Sequence, residues 1–348
     1  MKIGLISDLH FGVKKGDDAF FDSQIRFLEN VYFPRLKASG AKMLFVLGDV
    51  FDVRKSISTK ILSRASELLP RWFKDFETHI IVGNHDMFYS TTTQTNSVSF
   101  IALTSANIFV HERIAKVDKF VLVPWLDETN MKTLKEEILV EDNPEVPYAL
   151  GHFEIPGFGV PELPGTEDNQ IKVEPLLARF KKVFSGHIHS PGVKTIGERE
   201  FRYLGAPYQL TRGDKGGQRG AYIFDVETEE LEFVENEVSA KFVDVVFPEV
   251  PDDAFVAGNI VDVQIKSSDA NDPDVDSFLE KISKMGLFCL PSLKVNQDAP
   301  VEKIEIETDN RTMRDVLYEY VDMRDDFGED ERKVIKTKLA ELLSAHEE

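Results

Sequence analysis

At 348 residues the chain exceeds what one hydrophobic core usually organises, so a large domain with a smaller appendage is expected. With 42% hydrophobic and 29% charged residues it is neither a disordered nor a membrane-dominated chain, and its single cysteine, Cys289, excludes an intramolecular disulfide and a cysteine-rich zinc site. The formal charge of −20 would repel a polyanion if it were spread evenly, but residues 1–224 hold 28 basic and 28 acidic residues against 13 and 33 over 225–348, so the front of the chain is neutral.

The opening run MKIGLISDLHFG reaches Asp8 and His10 before a signal-peptide core or a membrane span is complete, which together with the lone cysteine points to the cytoplasm. Short apolar runs then recur at 2–7, 43–48, 79–84, 119–124, 148–152, 181–186 and 201–205, each a buried strand by length and composition. Between the first two, residues 20–38 carry Phe21, Ile25, Leu28, Tyr32 and Leu36 at helical spacing, with Pro34 expected to kink or shorten the helix. Ser58 to Phe76 is a second amphipathic helix containing Pro70. Alternation of strand and helix predicts a layered α/β domain, closed by a hairpin over 221–236.

Beyond 236 the texture changes to a small α+β unit over 237–307, with strands in FVDVVFPEV, NIVDVQIK, FCLPSLKV and EKIEIET and a helix that stops at Gly286. Residues 308–348 read as two amphipathic helices around Gly328. The acidic excess here is either a protein-facing surface or plain solvation.

Five apolar runs end in metal-capable residues: Asp8 and His10, Asp49, Asn84 and His85, His152, then His187 and His189. Sites in α/β sheets assemble at the carboxyl ends of strands, so these distant residues are expected to converge on one edge. Taken singly, each fragment reads equally as a capped strand end or a polar turn. Mixed nitrogen and oxygen donors without thiolate favour Mn²⁺ or iron over Mg²⁺, with zinc also compatible. His79, His111 and His346 lie outside the pattern and receive no role.

The order DxH, GDxxD, GNHD, GH and GHxH resembles the calcineurin-like metallophosphoesterase family. GDVFDVRKS, IVGNHD, VPW, GHFE with PGF, SGHIH and RYLGAPYQLTRGD are similar to the nuclease subunits of the SbcD and meiotic-recombination type, especially those of bacteriophages. The resemblance covers residues 1–235 and implies a sandwich of β-sheets flanked by helices, followed by a capping domain and a helical tail. It implies that Asp8, His10, Asp49 and His189 hold one divalent metal and Asp49, Asn84, His152 and His187 the other, Asp49 bridging. A carboxylate suits that position because it suppresses repulsion between cations ~3.5–4 Å apart.

His85 is implied as the non-ligand histidine that contacts the transition state or protonates the leaving oxygen. Asp52 is not taken as a ligand, and Asp86 is given the structural task of orienting its turn. The implied activity is Mn²⁺-dependent DNA hydrolysis, exonucleolytic and on single strands endonucleolytic; the donor residues by themselves give only phosphoester hydrolysis and leave open a phosphoesterase of small nucleotides or phosphoproteins, or a non-catalytic adaptor of the ATPase. The implied partners are DNA, a second copy of the chain, and an SbcC-like or Rad-type ABC ATPase, for which the C-terminal helices would be the docking element. Arg54 and Lys55 are candidate backbone contacts or solvated surface. Arg202, Arg212, Lys215 and Arg219, facing Asp214 as the one acid between 201 and 224, make the better candidate strip. The Pro- and Gly-rich loop 154–171 either shapes access to the site or is a surface insertion.

Overall fold

A computed structural model describes residues 1–141, 143–158, 171–269 and 271–294, together with 318, 321–322, 332–333 and 335–339. Two six-stranded sheets dominate it. The first runs Leu231–Glu235, Gly220–Asp225, Lys2–Ile6, Met43–Val46, Glu77–Ile81, Ile108–His111; the second runs Ala115–Val117, Phe120–Val123, Tyr148–His152, Lys182–Gly186, Arg199–Tyr203, Gly192–Ile196. Four strands of each sheet are mutually parallel, from Lys2–Ile6 to Ile108–His111 in one and from Phe120–Val123 to Arg199–Tyr203 in the other. The 221–236 hairpin joins the first sheet antiparallel to Lys2–Ile6.

The strands read as unbroken apolar runs because both of their faces are buried. In Met43–Val46, Leu44 and Val46 pack outward with Phe21, Leu36, Leu69 and Phe73 of the covering helices. Met43 and Phe45 turn inward and meet Leu122, Leu150 and Phe184 of the second sheet. That sheet's outer face is covered by Leu134, Leu176 and Leu177 over Val121, Ala149 and Val183. Each such fully buried side chain contributes roughly 1.5–3 kcal/mol relative to exposure.

The helix expected over 20–38 starts at Asp18, where the Asp17 carboxylate accepts the amides of Ala19 and Phe20 at 2.9 and 3.1 Å. Pro34 does not shorten it. The turn Leu28–Tyr32 widens so that the Phe33 amide bonds the Leu28 carbonyl five residues back, and the helix continues to Ala38 with the proline in the first turn after the widening. Thr59–Phe73 likewise carries Pro70 near its end, and starts at Ser58.

Past the hairpin, Phe242–Val246, Ile260–Lys266 and Phe288–Lys294 form a parallel three-stranded sheet under the helix Val275–Met285, with its own core of Val245, Val263, Phe278 and Ile282. Cys289 is half-buried beside it. The small sheet is seated on the large domain through Phe242 and Ile260, which join Phe20, Tyr208 and Leu210. The strand expected within 302–308 and the turn at Gly328 lie outside the described residues. In the separate unit 295–348, 321–322 and 335–339 are helical, and Lys336 ties them by accepting from the Tyr318 hydroxyl on its carbonyl at 3.2 Å and pairing with Asp322 at 2.6 Å. Among the described residues no helix is long and apolar enough to cross a membrane.

Candidate metal centre

The parallel strands of both sheets open at one edge, and the chain leaves them under strain. Asp8, His10, Asp49 and His187 all take positive φ, at 55°, 44°, 53° and 88°, a conformation costly for residues with a Cβ and concentrated at functional sites. The preceding glycines allow the exits to crowd together. A Cβ on Gly83 would lie 2.3 Å from Asp49 Oδ1, and one on Gly186 would lie 1.9 Å from Ser7 Oγ.

All seven expected ligands meet there. Asp8, His10, Asp49 and His152 are each at most 1% exposed, and Asn84 is 6% exposed. Asp49 Oδ2 lies 3.6 Å from His10 Nε2 and 3.3 Å from His152 Nε2, so one carboxylate faces both histidine groups. The donors of Asp8, His10 and His189 cluster within 4.8 Å of one another, as do those of Asp49, His152 and His187. Asn84 Oδ1 joins the second group, 2.9 Å from both His152 Nε2 and His187 Nδ1.

The ring orientations are fixed from behind. His152 Nδ1 donates to the Leu47 carbonyl at 2.7 Å, which turns the Nε2 lone pair inward. His10 Nδ1 donates to Asp52 Oδ1 at 3.2 Å and leaves Nε2 facing His189 Nε2 at 3.1 Å. Two inward-facing ring nitrogens at that separation, beside two buried carboxylates, suit a shared cation.

The charge balance agrees with that fit. Among the described residues no lysine or arginine pairs with Asp8 or Asp49. In their place His10 and His152 take up charge. Burial disfavours protonated His152, yet the charge of Asp49 and its hydrogen bond outweigh that and raise the pKa to about 9. Burial also opposes charge on His10, and the hydrogen bond to Asp52 with the charges of Asp49 and Asp8 raises it. Burial and charged His152 push His187 down to about 3. A buried acidic cradle that recruits protons where it has no other cations has the electrostatics of a divalent-metal site.

His85 stands beside this cluster without joining either ligand group. Its amide donates to Asp49 Oδ1 at 2.7 Å and its Nδ1 to the Asp52 carbonyl at 2.6 Å. Asp86 has the structural task expected of it: its buried carboxylate accepts the amides of Gly83, Asp49, Val50 and Phe51 at 2.8–3.3 Å and locks the two exits together.

Three residues have contacts that the sequence reading did not assign to them. Asp52 holds the His10 ring, and its donors also lie with those of His10 and His85 within 4.8 Å. Asp214 Oδ2 lies 3.9 Å from His189 Nδ1. Trp125 walls the pocket, its ring 5.1 Å from His187 and 6.0 Å from His152. Only the VPW triplet hinted at the last.

The four residues of the expected basic strip all have acidic partners within the fold. Arg219 is 5% exposed and bonds the carbonyls of His189 and Asp214, so it supports the loop behind a ligand. Arg212 pairs with Asp262 at 3.1 Å, Lys215 pairs with Asp244 and Asp262, and Arg202 pairs with Glu200 at 2.8 Å. The acids come mostly from the small sheet, beyond the window in which charge was counted. Arg54 and Lys55 are exposed, with no acidic partner among the described residues. In the 154–171 loop, Glu154 lies 3.6 Å from His187 Nε2, and Phe158 packs on Tyr203 with ring centroids 4.9 Å apart; 159–170 are outside the described residues.

Comparison with known proteins gives consistent relatives. The model of the calcineurin-like phosphoesterase family matches residues 1–191. Exonuclease subunit 1 of Enterobacteria phage T4 is 33% identical over 242 residues, 68% of this chain and 68% of that protein. Among solved structures, an archaeal phosphodiesterase matches 68% of this chain and 100% of its own at 11% identity and a TM-score of 0.38. A dimetal phosphatase from Danio rerio matches 64% and 91% at 14% identity and the same TM-score of 0.38.

Proposed function

Since this chain belongs to the calcineurin-like phosphoesterase family, we propose that it is a Mn²⁺-dependent DNA nuclease, the catalytic subunit of an SbcCD-like recombination and repair complex. The observation that carries phosphodiester hydrolysis is the convergence of seven nitrogen and oxygen donor residues, six of them gathered around the buried Asp49 carboxylate. The likeness to an exonuclease subunit supports DNA as the substrate and a multi-subunit assembly as the setting.

In this reading Asp8, His10, Asp49 and His189 hold one metal, and Asp49, Asn84, His152 and His187 the other. The two ions supply Lewis acidity toward the phosphate and a nucleophilic water at neutral pH. The chain does the rest. Leu47 and Asp52 fix the His152 and His10 rings, so ligand lone pairs need no reorganisation. Asp86 sets the spacing between the Asp49 and Asn84 exits. His85, anchored at its amide and Nδ1, presents Nε2 to the phosphoryl oxygens or the leaving oxygen, where charge builds as the bond breaks.

Arg54 and Lys55, exposed on the loop after Asp49 and Asp52, contact the DNA backbone. Residues 1–236 form the nuclease domain and 237–307 the capping domain. The amphipathic tail 308–348 docks on an SbcC-like ATPase, and two copies of the chain assemble around it. Incubation with linear duplex and circular single-stranded DNA in Mn²⁺, with and without a coexpressed ATPase, tests this. Cleavage of both, stimulated by the ATPase, is expected. Hydrolysis of bis-nitrophenyl phosphate or nucleotides with DNA left intact would refute the nuclease assignment.

A further inference from the structure

Most large aromatic side chains of the two sheets are buried, but Phe88 and Tyr89, three and four residues after His85, are 41% and 55% exposed. Among the described residues no other neighbouring pair of aromatics is exposed. Their rings meet edge to face, centroids 4.8 Å apart.

The loop that presents them is firmly built. Met87 beneath them is 1% exposed and bridges to Asn96. The Phe88 amide bonds the Thr95 carbonyl at 2.9 Å and the Ser97 amide bonds the Asp86 carbonyl at 2.7 Å. Thr93, fully buried, sends its amide and hydroxyl to Asp127 Oδ2 at 3.0 and 2.9 Å, and Arg113 pairs with the same oxygen at 2.8 Å. Asp86 in turn is bonded to the exits that carry Asp49 and Asn84. Two aromatic rings are thus held in solvent by a turn fixed to the candidate centre at one end and, in the middle, to Asp127, which caps the helix Glu128–Thr133.

We propose that Phe88 and Tyr89 are a stacking platform for nucleobases flanking the phosphodiester that is cut. The proposal rests on the nuclease reading. Every base has a π-face, so such a platform binds without regard to sequence and engages unpaired bases in preference to a closed duplex. Rings already fixed in place lose little freedom on binding. Arg54 and Lys55 would hold the backbone while the rings take the bases.

The test pairs two substrates with four proteins, all as the full chain in Mn²⁺. The substrates are a single-stranded oligonucleotide and the same strand with abasic residues beside the scissile bond. The proteins are wild type, Phe88→Ala/Tyr89→Ala, Phe88→Trp/Tyr89→Trp, and Arg54→Ala as a backbone-contact control. Wild type is expected to show a KM about tenfold lower for the base-bearing strand. The double alanine variant should lose that preference, the double tryptophan variant should keep it, and Arg54→Ala should weaken both substrates alike.

No base preference in the wild type, or an equal loss on both substrates in the alanine variant, would overturn the platform. If the wild type hydrolyses bis-nitrophenyl phosphate and neither strand, the nuclease reading fails by itself. Fluorescence anisotropy of the two oligonucleotides then decides the stacking: equal binding, or none, overturns it, and tighter binding of the base-bearing strand that needs the rings supports it.

Discussion

Two groups of histidines occupy the same sandwich and meet opposite fates. At the open edge, His10, His152, His187 and His189 sit among Asp8, Asp49 and Asp52, on backbone strained into positive φ at Asp8, His10, Asp49 and His187. At its flank, His79 and His111 lie on ordinary neighbouring strands, His79 stacked between Phe45 and Phe109 with ring centroids 5.3 and 5.1 Å away. His79 Nδ1 is 2.9 Å from His111 Nε2, and its other nitrogen reaches the half-exposed Glu77 at 3.1 Å. In the first group the buried carboxylates raise His10 and His152 against the cost of burial, while burial prevails at His187 and His189 and leaves their ring nitrogens neutral beside those carboxylates. Aromatic packing and one screened acid keep the second neutral: burial lowers His79, and burial with neighbouring His79 lowers His111 to about 4. The residue type is common to both, and the neighbours decide the chemistry.

The largest expected break in that contrast is Asp49→Asn, which removes the charge shared by the two donor groups. Cleavage should fall by more than about 10³-fold. The thermal stabilisation by Mn²⁺, about 2.7 kcal/mol at a hundredfold excess over Kd, should disappear from melting curves. Retained cleavage with two bound metals would end the bridging role.

His85→Asn tests the catalytic role proposed for His85 apart from the metal-binding role proposed for its neighbours. Its kcat is expected to drop about 10²–10⁴-fold while calorimetry still counts two metals. An unchanged rate would remove His85 from the mechanism.

Asp52→Asn probes the support behind His10. Metal affinity should weaken about 10–100-fold, and excess Mn²⁺ should restore the rate, a rescue that damaged folding would not allow.

The smallest effect belongs to the flank. His111 titrates below its ordinary 6.5 in the fold, so the unfolded chain takes up the proton first. Its contribution is complete above about pH 6.5 and is lost as pH falls toward about 4. His111→Asn should flatten that acid limb in a series of melting temperatures and leave cleavage at neutral pH unchanged. An acid limb identical to wild type would show that other groups set it.

The convergence of the seven donors was legible because each follows an apolar run and a tight exit, both local features, and parallel strands bring such exits to one edge. The two covering helices were legible from their spacing, but Pro34 was misjudged, since a widened turn at Leu28–Tyr32 absorbs it. The strands Ile108–His111, Ala115–Val117 and Gly192–Ile196 went unread: they are short edge strands whose exposed residues break the apolar pattern.

By itself, then, the sequence determined the layered α/β architecture, the donors and the separation of His85 from them, because strand burial and exit chemistry are written in adjacent residues. Tertiary structure alone decided which acids answer which bases. Asp52 reaches His10 across 42 residues, and Asp244 and Asp262 of the small sheet engage Lys215 and Arg212, which the local charge count had left free. Composition counts charges along the chain, whereas Coulomb energy depends on distance through space, and only the packed fold sets that distance.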